Sequence, residues 1–170
     1  MSFAGFVVLE SAIDVTVLSR SGNSPVNATS LPTYRVYGPN GLMTSGTGSA
    51  AFKDTGTITG ATNATPIVIT DVAHGLKTGN IVTITGVGGN PAANGTFTVT
   101  YVTDDTYSLD SSVGNGAYTS GGTWNVTGLY EATITAAAAS GYAAGQSYLV
   151  VFQGVVSAAN WAEAIAFVVT

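Results

Sequence analysis

The chain is written almost wholly in short apolar or alternating runs separated by Gly, Pro, Asn and Asp, and helix-period patterns are nearly missing. Such runs read as strands, so the fold class is all-β. The runs also have an order. Phe6–Leu9, Ile13–Leu18, Thr33–Tyr37, Leu42–Thr47 and Phe52 follow one another, and the pattern stops near Thr55. It resumes after Trp124 with Gly128–Ile134, Tyr148–Phe152 and Ile165–Val169. Residues 1–54 and 125–170 therefore read as two halves of one discontinuous domain, about seven strands at the spacing of an immunoglobulin-like β-sandwich. Gly38-Pro39-Asn40-Gly41 supplies the tight turn between two of them, because Pro presets φ and Asn-Gly tolerates positive φ. Ser19–Pro32 reads as a loop. Ala136–Ala144 and Ser157–Ala164 read as loops with at most one helical turn.

Residues 55–124 form a Gly/Thr-rich block with a rhythm of its own. Ile67–Ile69 is a strand, and His74–Asn80 turns the chain into Ile81–Ile84. Asn94-Gly95 turns it into Thr96–Val102, and Asp104-Asp105 closes a hairpin onto Thr106–Leu109. Gly116–Thr123 ends the block. Four or five strands closed by such turns predict a small β-barrel-like module inserted in a loop of the sandwich. About 70 residues suffice for a marginally stable module.

Charge excludes several function classes. Only 8% of the 170 residues are charged and the net charge is −5, against a usual charged share of about 25%. The four basic residues, Arg20, Arg35, Lys53 and Lys77, are scattered, whereas nucleic-acid binding needs clustered Lys and Arg. No nucleic-acid partner is expected. A surface this poor in charge suits a protein packed against neighbours. The chain has no cysteine, hence no disulfide and no thiolate metal site. The start lacks the basic region of a signal peptide, and no apolar run approaches the roughly 18 residues of a membrane span. The expectation is synthesis in a cytoplasm, with no membrane partner.

Each chemistry-bearing residue has a plain structural reading. His74, the one histidine, lies near Asp71, but no nucleophile or ligand cluster accompanies it, so it reads as a turn residue. Asp104, Asp105 and Asp110 lack the spacing of a calcium loop and read as turn carboxylates that cap backbone N–H groups. Gly86-Val87-Gly88-Gly89 precedes no helix, so it reads as a flexible loop rather than a phosphate cradle. Asn27, Asn63, Asn94 and Asn125 head glycosylation sequons that a chain rich in Asn and Thr contains by chance. Tyr101, Tyr107, Tyr118, Trp124 and Trp161 admit two readings: a groove that stacks on sugar rings, or a core or subunit interface. No catalytic residue, metal site or cofactor site is expected.

Four ordered pieces of the block carry a resemblance: Ala73–Val82, Asn94–Val99, Tyr107–Leu109 and Gly116–Gly122. The block resembles a family of small β-modules common in tailed-phage virion proteins, named after a similar barrel in the ubiquitin-activating enzyme, its first catalytic-cysteine half-domain. With no cysteine present, none of that enzyme's thioester chemistry carries over. The two ends resemble the immunoglobulin-like sandwiches of phage particles through Thr33–Tyr37 with Asn40-Gly41, Thr127–Tyr130 and Ala144–Val150. The resemblance implies a non-enzymatic virion structural protein. The leading expectation is a capsid decoration or cement protein, a homo-oligomer and by shell geometry a trimer, bound to the major capsid protein or other virion proteins. The alternative is a tail, baseplate or fibre-tip protein that binds the host surface, with glycans as the partner.

Overall fold

A computed structural model describes residues 2–170. Among the described residues, seventeen strands follow in chain order. The first seven are β1 (Ser2–Val7), β2 (Ala12–Leu18), β3 (Arg20–Ser21), β4 (Ser24–Pro25), β5 (Thr33–Gly38), β6 (Gly41–Ser49) and β7 (Ala51–Phe52). The next seven are β8 (Thr55–Thr57), β9 (Gly60–Ala61), β10 (Ile67–Thr70), β11 (Ile81–Thr85), β12 (Gly95–Thr103), β13 (Thr106–Leu109) and β14 (Thr123–Val126). The chain ends with β15 (Leu129–Thr135), β16 (Ser147–Val156) and β17 (Ala159–Val169). The architecture is all-β. Two compact units divide it: one holds the residues up to Lys53 together with Gly128–Thr170, the other Asp54–Thr127.

The outer unit is a sandwich of two sheets, β1-β17-β16-β5-β6 and β2-β15-β7. The orders β17-β16-β5 and β2-β15-β7 are those of the G-F-C and B-E-D strands of an immunoglobulin-like sandwich. β1 runs parallel to β17, and every other ladder in the unit is antiparallel. Alternation in the sequence explains the core. Val15 and Val17 of β2 and Tyr130, Ala132 and Ile134 of β15 point inward from one sheet. Val36, Tyr148, Val150, Phe152, Ile165, Phe167 and Val169 meet them from the other. Tyr148 stacks on Phe167 at 5.5 Å, and the buried Tyr130 hydroxyl accepts the Ala28 N–H at 2.8 Å.

Two parts of this unit differ from the sequence reading and a third agrees with it. The unit has ten strands rather than about seven, because a short β3–β4 hairpin lies within Ser19–Pro32 and Ala51–Phe52 forms a separate strand, β7. Ser157–Ala164 holds no helical turn. Ser157 and Ala158 both take positive φ, 49° and 65°, and make the two-residue turn of a hairpin in which Val156 faces Ala159. Ala136–Ala144 does contain one 3₁₀ turn, Ala138–Ser140, which Gly141 ends at φ 88°.

The inserted unit is one seven-stranded antiparallel sheet, ordered β8-β14-β11-β12-β13-β10-β9, where four or five strands were expected. The first half of β12 pairs with β11 and the second half with β13, so the sheet folds along this long strand. A bulge between Tyr101 and Thr103 adds to the bend. The two sheet edges, β8 and β9, are consecutive in the chain. The residues between them close the curl: the Ile58 N–H donates to the Gly122 carbonyl, and the Thr59 N–H to the Thr70 carbonyl, both at 2.9 Å. Ile58, Ile67, Ile69, Val82, Ile84, Val99, Tyr107, Leu109 and Trp124 fill the interior. The unit extends past residues 55–124 at both ends. Val126 N–H donates to the Asp54 carbonyl and Thr127 N–H to the Ile81 carbonyl, which ties those residues to the inserted sheet.

Candidate interaction surfaces

Tyr148–Phe152 is apolar at every position, the pattern of a strand covered on both faces. In the sandwich only one face is covered. Tyr148, Val150 and Phe152 are buried, while Leu149 and Val151 point the other way and stay half-buried. The same holds across part of the five-stranded sheet, up to a mostly polar row of Ala162, Gln153, Thr33 and Ser49. One row of cross-strand partners runs Phe3, Ala166, Leu149, Tyr37, Leu42. A second runs Phe6, Val168, Ser147, and a third Ala164, Val151, Arg35, Thr47. Arg35 is the one charge in these three rows. Phe3 is 56% exposed, Phe6 69% and Leu42 51%, values far above those of ordinary core apolar residues. Phe3 and Phe6 lie edge to face at 5.4 Å, brought onto one side by the β1 bulge between Phe3 and Gly5. They sit on an edge strand that carries neither Lys nor Pro, the usual guards of a free edge.

The outer face of the three-stranded sheet is different. Asp14 accepts a hydrogen bond from Thr133 across the ladder at 2.7 Å. The next row is Thr16, Glu131 and Ala51, and Glu131 forms an ion pair with Lys53. One face of the sandwich thus carries carboxylates and hydroxyls across its ladder, and the other carries a continuous apolar row bordered by Ser147, Arg35 and Thr47.

The five aromatic candidates do not form one groove. Tyr107 and Trp124 are core residues of the inserted unit, 0% and 3% exposed, and no ligand reaches their faces. The indole N–H of Trp124 donates to Asp71 Oδ2 at 2.6 Å. The Tyr107 ring stands edge-on to Trp124 and to His74, and its hydroxyl has no hydrogen-bond partner. Burial pushes the Tyr107 phenol well up, and the negative charge of Asp71 adds to it. Tyr118 is half-buried, with its hydroxyl 3.1 Å from the carbonyls of Ile58 and Gly121. Trp161 packs on the core of the outer unit, over Gly154 of the neighbouring strand. Of the five, Tyr101 alone is exposed, at 43%.

The remaining polar candidates hold turns. The Leu76 N–H donates to His74 Nδ1 at 3.0 Å, and His74 Nε2–H donates to the Thr103 carbonyl at 2.9 Å, which fixes the neutral Nε2–H tautomer. Asp105 accepts the Ala73 N–H, Asp104 accepts the Tyr101 hydroxyl, and Asp110 accepts the Thr100 hydroxyl. These three carboxylates therefore face different partners. No group of three His, Cys, Asp or Glu side chains among the described residues is placed to hold a metal ion. The Gly86–Gly89 loop is pinned rather than flexible: Gly88 and Ser120 form a β-bridge, and a side chain on Gly89 would collide with the Ala117 carbonyl. Asn94 bonds both backbone groups of Val87, which is work for a turn residue.

Beside Tyr101 lies a cup of about 280 Å³ lined by Gly75, Leu76, Lys77, Thr78, Tyr101 and Asp104. Sequence reasoning named Tyr101 but missed Lys77 and Thr78, whose proximity depends on the pairing of the Gly75–Thr78 turn with β12. No protein-family model matches the chain, and no curated protein is significantly similar to it.

Proposed function

We propose that this chain is a non-enzymatic structural protein of a phage particle, a capsid decoration or cement protein. It docks through the outer face of the five-stranded sheet. The observation that carries the reading is the contrast between the two outer faces of the sandwich: the first carries the row Phe3, Ala166, Leu149, Tyr37 and Leu42 with Phe6, Val168 and Val151 beside it, and the second carries Asp14, Thr133, Glu131 and Lys53. The low charge and the resemblance of both sequence segments to phage modules support it.

The size of the face bears on the mode of attachment. Four strand spacings of about 4.8 Å and three rows of side chains cover roughly 400 Å² per copy. Both partners together would then bury about 800 Å², the weak end of specific interfaces. Single contacts of that size hold when they are repeated, as on a shell with many identical sites and a trimeric ligand. Imaging of intact particles carrying the labelled chain tests this. The reading requires regularly spaced copies on the head. Copies confined to the tail favour the second reading, a tail, baseplate or fibre-tip protein that binds host glycans, for which the exposed Tyr101 ring is the supporting feature. Particles without the chain rule out both.

A further inference from the structure

The cup beside Tyr101 has the features of a built site. Tyr101 is an exposed aromatic ring held at several points. Its N–H donates to Thr78 Oγ1 at 3.0 Å and its hydroxyl donates to Asp104 Oδ1 at 2.8 Å. Its ring lies 6.0 Å from that of His74, which two hydrogen bonds fix in turn. An exposed tyrosine so anchored loses little freedom when a ligand stacks on it. The polar groups around it are of two kinds. Asp104 uses Oδ1 for Tyr101 and has Oδ2 left to accept, and Lys77, exposed on the facing turn, brings an ammonium group that donates.

We propose that this cup binds one pyranose ring of a saccharide, with the C–H face of the sugar on the Tyr101 ring and its hydroxyls shared between Asp104 and Lys77. Three observations select this class of ligand. A volume of about 280 Å³ lies at the lower limit of small-molecule pockets, room for one ring and not for an extended chain. The lining is mainly apolar, with Asp104, Lys77 and Thr78 as its polar groups, so a sugar can stack its C–H face and still pair its hydroxyls, whereas a wholly apolar peptide anchor would leave Asp104 and Lys77 unpaired. Asp104 and Asp105 side by side repel a phosphate backbone, which argues against a nucleic acid. The inference is separate from docking, since the cup belongs to the inserted unit and the apolar face to the outer one, and it deepens the second, glycan-binding reading by naming the ring and its contacts.

The test is amide-resolved NMR of the full chain titrated separately with the methyl pyranosides of glucose, galactose, mannose, N-acetylglucosamine and rhamnose into the millimolar range. At least one should give saturable shifts at Gly75–Thr78 and Tyr101–Asp104. Tyr101→Ala should weaken that binding by about two- to tenfold, the scale of one lost aromatic contact. Tyr101→Phe, which keeps the ring, should weaken it less. Val113→Ala, at an exposed site outside the cup, should leave it unchanged. If none of the five sugars saturates, or if saturation survives Tyr101→Ala intact in a folded variant, the inference is wrong. Attachment to particles is read separately, so either result can fail alone.

Discussion

Trp124 and Asp71, 53 positions apart in sequence, meet in the interior of the inserted unit through an indole N–H to carboxylate hydrogen bond of 2.6 Å. Gly56 lies against both: a Cβ there would collide with Asp71 Oδ2 and with the indole nitrogen. Gly56→Ala should therefore destabilise the inserted unit by about 2 kcal/mol, the cost of overpacking a tight site. Asp71→Ala should cost a similar amount, roughly 1–3 kcal/mol, by leaving a buried N–H without an acceptor. Urea unfolding followed by Trp124 fluorescence, in a Trp161→Phe background that silences the outer unit's tryptophan, reads both. Wild-type midpoints in these variants would contradict the pairing.

Tyr107 predicts the opposite sign. Its hydroxyl is buried without a partner, so removing it deletes a desolvated polar group and no hydrogen bond. Tyr107→Phe should leave the inserted unit as stable as before or raise its stability by up to about 1 kcal/mol. A loss of more than about 1 kcal/mol would mean that the hydroxyl has a partner in solution.

The insertion point predicts that the outer unit folds without the inserted one. Lys53 N–H donates to the Leu129 carbonyl at 3.2 Å, and Phe52 faces Tyr130 across the same ladder. The chain thus leaves and re-enters at the ends of two paired strands, where a short hairpin loop would serve. Replacing Asp54–Thr127 with a short Gly/Ser bridge should leave one cooperative thermal transition and a native β-sheet spectrum. A variant that melts without cooperativity would show that the two units fold only together.

Alkaline pH should loosen the chain within a defined window. Burial pushes the Tyr142 phenol up to about 12, and its neighbours Tyr148 and Tyr34 add to the shift. Tyr107 is also raised, by burial first and Asp71 second. An unfolded tyrosine ionises near pH 10, so the folded state holds these protons more tightly. That stabilisation is complete below about pH 10 and is lost as pH rises from there through about 12. The urea midpoint should stay level from pH 8 to about 9.5 and fall beyond 10, with Tyr142→Phe reducing the part of the fall that belongs to the outer unit. A level midpoint through pH 12 would contradict it.

Local pattern carried much of the fold. The alternation in Ile13–Leu18 and the continuous run Tyr148–Phe152 are strands, and Pro39-Asn40 turns the chain between β5 and β6, with Gly41 at positive φ. Less was legible where local chemistry misleads. Ser157-Ala158 makes a hairpin turn with residues that seldom take positive φ, so no Gly or Asn announced it. The burial of Tyr107 and Trp124 depends on a sheet that brings β8, β14 and Asp71 together from distant segments, and spacing in sequence does not encode it. The apolar outer face was written in the run Tyr148–Phe152, but its extent needed the register of β1, β17, β16, β5 and β6. The Tyr101 cup needed the pairing that sets Thr78 beside β12.

The central claim is that the outer face of the five-stranded sheet attaches the protein to a phage shell. Leu149→Lys and Ala166→Lys place charges in the middle of that face at half-buried positions that leave the core intact. The most direct measurement is the copy number of wild-type and doubly substituted chain in purified particles, counted by quantitative mass spectrometry with thermal stability of each chain as the control. The account predicts many copies of the wild type per head and almost none of a folded variant. Equal incorporation of the two, or a wild-type copy number matching the baseplate, would contradict it.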